Sequence, residues 1–79
     1  MTVEDLIGKK IADNVSKIEN LVATIKVIDK EISETNDPNV AAYNFTNMFR
    51  YEMMMELYTQ ANNDLLEILS AYRKIKGGE

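Results

Sequence analysis

The chain has 79 residues, 46% of them hydrophobic and 28% charged, with a formal charge of -4, the balance of one small helical domain and too acidic for nucleic acid to be its natural partner. It contains no cysteine and no histidine, which excludes disulfides, thiol nucleophiles, thiolate zinc sites and imidazole acid–base chemistry. One proline and three glycines are far fewer turn signals than a multi-stranded sheet requires.

The first segment, MTVEDLIGKKIADN, has acids near its start and no unbroken apolar core, so it does not read as a cleaved secretory signal. Thr2 is placed to cap a helix, with Asp5 as its reciprocal partner in a capping box and Glu4 beside it, where the helix dipole favours acids. Ile7, Ile11, Ile18, Leu21, Ile25, Ile28 and Ile32 then recur at alternating spacings of four and three. This is the seam of a heptad repeat, interrupted at Asn14 and widened by Val15 and Val22. Lys10, Asp13, Lys17 and Glu31 fall on the opposite face. The spacing predicts a helix over about residues 3–34.

The pattern stops at Ser33-Glu34-Thr35-Asn36-Asp37-Pro38. Pro38 disfavours the α conformation at Asp37 and suits the first position of a new helix. Asp37 is then the cap of a second helix over about residues 38–76, which Gly77 and Gly78 end. Its seam is Ala41, Met48, Tyr51, Met55, Tyr58, Leu65, Leu69 and Tyr72, interrupted by Asn44 and Asn62. A second stripe runs through Phe45, Phe49, Met54, Leu57, Ala61, Ile68 and Ile75, and Gln60–Asp64 is a polar break. Neither an internal repeat nor a stretch of about 18 uncharged apolar residues is present, so no membrane span is expected.

The expected fold is therefore all-α: a two-helix antiparallel hairpin turning at Asn36, Asp37 and Pro38. At 1.5 Å rise per residue its helices are roughly 45–60 Å long. Two such helices enclose little core, and the second stripe needs a further partner. Assembly into a larger helical oligomer follows, with Met48, Tyr51, Met54, Met55, Tyr58, Leu65, Ile68, Leu69, Tyr72 and Ile75 as the expected interface residues.

Other patterns have ordinary readings that weigh more. Met48 with Met53, Met54 and Met55 fits an adaptable binding surface, but core filling accounts for it. Tyr43, Tyr51, Tyr58 and Tyr72 suit a seam with a wet rim better than a stacked ligand. Glu52 and Glu56 share a helix face, yet no histidine accompanies them, so no metal is expected there. Arg73, Lys74 and Lys76 suit the helix dipole as well as they would a phosphate. Asn14 and Asn62, at similar distances from the turn, read as a buried polar layer that fixes register. With no phosphate loop and no nucleophile–base pattern, no enzymatic activity and no cofactor are expected.

A short polar lead, an amphipathic helix, an Asn-Asp-Pro turn at residues 36–38 and a longer second helix form a layout similar to that of type III secretion needle proteins, and of inner rod proteins over their C-terminal part. Met48, Tyr51, Met55, Leu65, Ile68, Leu69 and Ile75 stand where that family places large apolar residues, and Gln60, Asn62 and Asn63 match its polar middle. The resemblance covers about residues 3–76. It implies a secreted or cell-surface filament of identical subunits joined head-to-tail around a channel, with the second helix facing the lumen, through which unfolded proteins are exported. The competing expectations are a cytoplasmic adaptor or regulatory protein forming a closed dimeric four-helix bundle, and a chaperone-like binder of a partner helix. In each case the partner is another copy or another helical protein.

Overall fold

The computed structural model describes residues 1–77. It is a hairpin of two α-helices, α1 (Val3–Glu34) and α2 (Pro38–Gly77). The first helix has the expected ends. The second runs one residue past its expected end, through Gly77, and Gly78 lies outside the described residues. The rod measures 64 × 17 × 14 Å, its length that of a helix of 40 residues at 1.5 Å per residue. Neither helix is long and apolar enough to cross a membrane.

Side chains fix both helix starts. The Thr2 hydroxyl accepts from the Asp5 amide at 3.1 Å while the Asp5 carboxylate accepts from the Thr2 amide at 3.2 Å, completing the capping box. At the second start, Asp37 Oδ1 accepts from the Asn39 amide at 2.9 Å and its carbonyl takes the first helical bond, from Ala41. Between them Thr35 holds extended backbone, its amide still bonded to the Glu31 carbonyl at 3.1 Å. Its hydroxyl accepts from the Asp37 amide at 3.2 Å. Thus the chain reverses over Thr35–Asp37 without a positive φ or a cis peptide.

The register follows from one pair. Asn14 and Asn62 meet across the interface through a 2.8 Å hydrogen bond. Stepping by heptad spacings in opposite directions from that pair sets Ile7 opposite Leu69, Ile11 opposite Leu65, Ile18 opposite Tyr58 and Leu21 opposite Met55. It continues with Ile25 opposite Tyr51, Ile28 opposite Met48 and Ile32 opposite Asn44. The burial pattern matches this seam: Ile7, Asn14, Ile28, Asn44, Asn62 and Leu69 are buried, and the intervening seam residues are half-buried. At the open end Arg73 Nε approaches the Glu4 carboxylate at 3.5 Å, and the last turn of α2 overhangs the start of α1.

Candidate interaction surface

Heptad positions divide the surface of α2. Its a positions are 41, 48, 55, 62 and 69, and its d positions are 44, 51, 58, 65 and 72. These face α1. In α1 the a positions are 4, 11, 18, 25 and 32, and the d positions are 7, 14, 21 and 28. Of the residues expected at an interface, Met48, Tyr51, Met55, Tyr58, Leu65, Leu69 and Tyr72 lie in this seam, half-buried or buried against α1. Their apolar surface is used inside the hairpin. Met54, Ile68 and Ile75 lie outside it and are exposed.

The outer apolar surface is larger than the second stripe suggested. On the flank formed by the c and g positions, Val40, Tyr43, Met54, Leu57, Ile68 and Ile75 are exposed, with Leu57 and Ile75 each at 70%. This stripe runs almost the whole helix, about 50 Å from Val40 to Ile75 at 1.5 Å per residue. On the opposite flank, at b and e positions, lie Phe45, Phe49 and Leu66, with Phe49 61% exposed. Met53 lies between the two flanks. Only Ala61 of the second stripe is half-buried. Tyr43, Val40, Met53 and Leu66 were not expected as surface contacts. Their signal is in the sequence, since each keeps heptad phase with one flank or stands beside it.

The first helix contributes less to the outside. Its c/g flank carries Lys10, Asp13, Lys17, Asn20, Thr24, Glu31 and Glu34, with Val3, Leu6 and Val27 as its exposed apolar residues. Lys17 is not remote from the seam: its ammonium sits 5.3 Å from the Tyr58 ring centroid, a cation–π contact across the two helices. Tyr72 is covered likewise by Lys76, at 5.8 Å. The tyrosines at 51, 58 and 72 thus sit half-buried at the seam's rim, while Tyr43 points outward.

The polar stretch Gln60–Asp64 does not break α2. Gln60 and Asp64 bond each other on the outer surface at 3.0 Å, and Asn62 points into the seam. There its Nδ2 donates to the Ile11 carbonyl at 3.3 Å, which turns its Oδ1 toward the Asn14 amide. Asn14 is 1% exposed, and its Oδ1 has no partner.

An open groove on the outer side of α2 is lined by residues that include Glu52, Met53, Glu56, Leu57, Gln60 and Asn63, with no residue of α1. Glu52 and Glu56 are exposed along it. Among the described residues no group of three or more acidic, histidine or cysteine side chains is arranged to hold a metal ion.

Charge is distributed unevenly along the rod. Toward the turn, residues 27–49 carry Asp29, Glu31, Glu34 and Asp37 against Lys30 alone. Toward the open end, residues 1–12 and 65–77 carry Lys9, Lys10, Arg73, Lys74 and Lys76 against Glu4, Asp5 and Glu67. No family model, no curated protein and no solved structure matches the chain.

Proposed function

We propose that this chain is an assembly subunit, a pre-folded hairpin that joins further copies of itself through the outer surface of α2. The observation that carries this reading is the c/g stripe, where large apolar side chains stand exposed along the full helix after the seam has been filled. A helix that is apolar beyond the face its neighbour covers needs further cover, and large exposed apolar side chains repeated along one flank, here interrupted by Asn47, Arg50 and Asp64, mark a contact site.

Two features favour another copy as the occupant. The turn end is apolar and acidic, with Val40, Tyr43, Phe45 and Phe49 near Asp29, Glu31 and Asp37. The open end is apolar and basic, with Ile68 and Ile75 beside Arg73, Lys74 and Lys76. These unlike ends complement one another. A contact between unlike surfaces is heterologous, and it propagates instead of closing. The similarity of layout to type III secretion needle subunits supports the same product: a hollow, exported filament with α2 lining the channel.

A closed dimer is the second reading. Val15 and Val22 of α1 share a flank with Phe45 and Leu66 of α2, so both helices contribute to one face, as a four-helix bundle requires. Light scattering and sedimentation against concentration separate the two. The filament reading expects a mean mass that keeps rising with concentration, and growth that persists in high salt because apolar contacts carry it. A plateau at two or four chains overturns the filament and favours the bundle.

A further inference from the structure

Asn14 and Asn62 face each other only in the observed register of the hairpin. The layer is not the most stable filling, because replacing both partners of a buried hydrogen bond by apolar groups of similar shape is neutral or favourable. Yet Asn14 is the most deeply buried side chain described, and one of its two polar atoms is unsatisfied.

We infer that the Asn14–Asn62 layer is a pairing filter acting between chains, which admits α2 to the seam of α1 and rejects an antiparallel α1 from another copy. The first helix needs such a filter. Its seam is otherwise Ile7, Ile11, Ile18, Leu21, Ile25, Ile28 and Ile32, a four-heptad pattern of the kind that self-associates.

An antiparallel pair that keeps heptad phase sets a d position against an a position, as Asn14 meets Asn62 here. Apart from Glu4 in the first turn, every a position of α1 (Ile11, Ile18, Ile25 and Ile32) is isoleucine. Antiparallel pairing of two α1 helices in the registers of greatest overlap, which set Asn14 opposite one of these isoleucines, therefore buries its amide against hydrocarbon, at the cost of an unmade hydrogen bond. The a positions of α2 are Ala41, Met48, Met55, Asn62 and Leu69, so Asn62 alone can answer Asn14. The Ile11 carbonyl sharpens the match by holding Asn62 Nδ2, which leaves its Oδ1 facing the Asn14 amide. A parallel α1 pair would set Asn14 against Asn14 and is not filtered.

The test compares the native seam with N14L/N62L in full-length chains that also carry Leu57→Glu and Ile68→Glu. Both chains carry these charges, which interrupt the c/g stripe, so a difference between them reports the seam and not the outer surface. Sedimentation velocity and thermal melting are the readouts. The leucine-paired chain is expected to melt at least about 5 °C higher, the scale of a one-kcal change in a domain this size. It should also form dimers at concentrations at least tenfold below those at which the native seam does. A swap of helices between two hairpins keeps every α1–α2 layer, so it gains nothing from the substitution, and new dimers report α1–α1 pairing released by the loss of Asn14, in either orientation. The inference is overturned if the leucine-paired chain stays monomeric over the same range, or if it melts at or below the native seam.

Discussion

At residue scale, single polar groups set the ends and the middle of this hairpin. Asp37 accepts one otherwise orphaned amide at the start of α2, from Asn39 at 2.9 Å. Replacing it with alanine should cost about 1 kcal/mol in urea unfolding, whereas a loss below about 0.2 kcal/mol would place the helix start elsewhere. Pro38→Ala should cost less than about 1 kcal/mol, since the cap remains and only the stiffness of the unfolded chain changes. Asn62→Ala is a harsher change. It removes the only partner of the Asn14 amide and leaves both polar atoms of Asn14 buried and unpaired. The expected loss is about 1–3 kcal/mol, read from the same unfolding curves. An Asn62→Ala protein as stable as the parent would mean that the layer is wet or open in solution. The cap and the asparagine layer could both be anticipated from residue type and position. The Ile11 carbonyl bond could not, because no side-chain pattern announces a backbone acceptor.

At the scale of elements, the two helices differ in how plainly they declare their buried face. In α1, isoleucine or leucine keeps one heptad phase while lysine, aspartate and glutamate fill most others, so the seam is legible without a partner. In α2, apolar residues occupy several phases at once. Adjacent Met54 and Met55 both look like seam residues, and only contact with α1 separates them: Met55 is half-buried and Met54 exposed. Periodicity therefore located both helices and their shared turn, but it did not divide α2 into inner and outer residues. That division gives a contrast. Ile28 is buried at 9% exposure, and Ile28→Ala should cost about 2–5 kcal/mol. Phe49 is an equally large apolar residue on the outside, and Phe49→Ala should change the stability of the lone hairpin by no more than about 0.5 kcal/mol. Thermal melts at concentrations too low for association distinguish them. Similar losses at both sites would mean that α2 is rotated from the seam described.

For the whole molecule, the separation of seam from outer stripe decides how loss of assembly must be interpreted. A charge placed at Met55 or Leu65 enters the interface with α1, so it should melt the hairpin, and any failure to assemble would be a consequence of unfolding. Leu57 and Ile68 lie on the outer stripe, 70% and 55% exposed, and a glutamate there meets water in the lone hairpin. If copies join through this stripe, each chain in the assembly would instead have to bury that carboxylate against an apolar neighbour, at a cost of several kcal/mol per contact. Leu57→Glu and Ile68→Glu should therefore keep the helical circular dichroism and melting point of the parent while abolishing its concentration-dependent growth in light scattering. Charge reversal at the ends probes a different contribution. Lys74→Glu with Lys76→Glu leaves the stripe apolar but makes both ends of the rod acidic. It should slow growth at low salt and recover as salt screens the repulsion, because exposed charges steer association more than they hold it together. An outer-stripe glutamate that leaves growth intact would remove α2's c/g flank as the contact. End reversal without effect at low salt would remove the head-to-tail polarity while leaving the apolar contact standing.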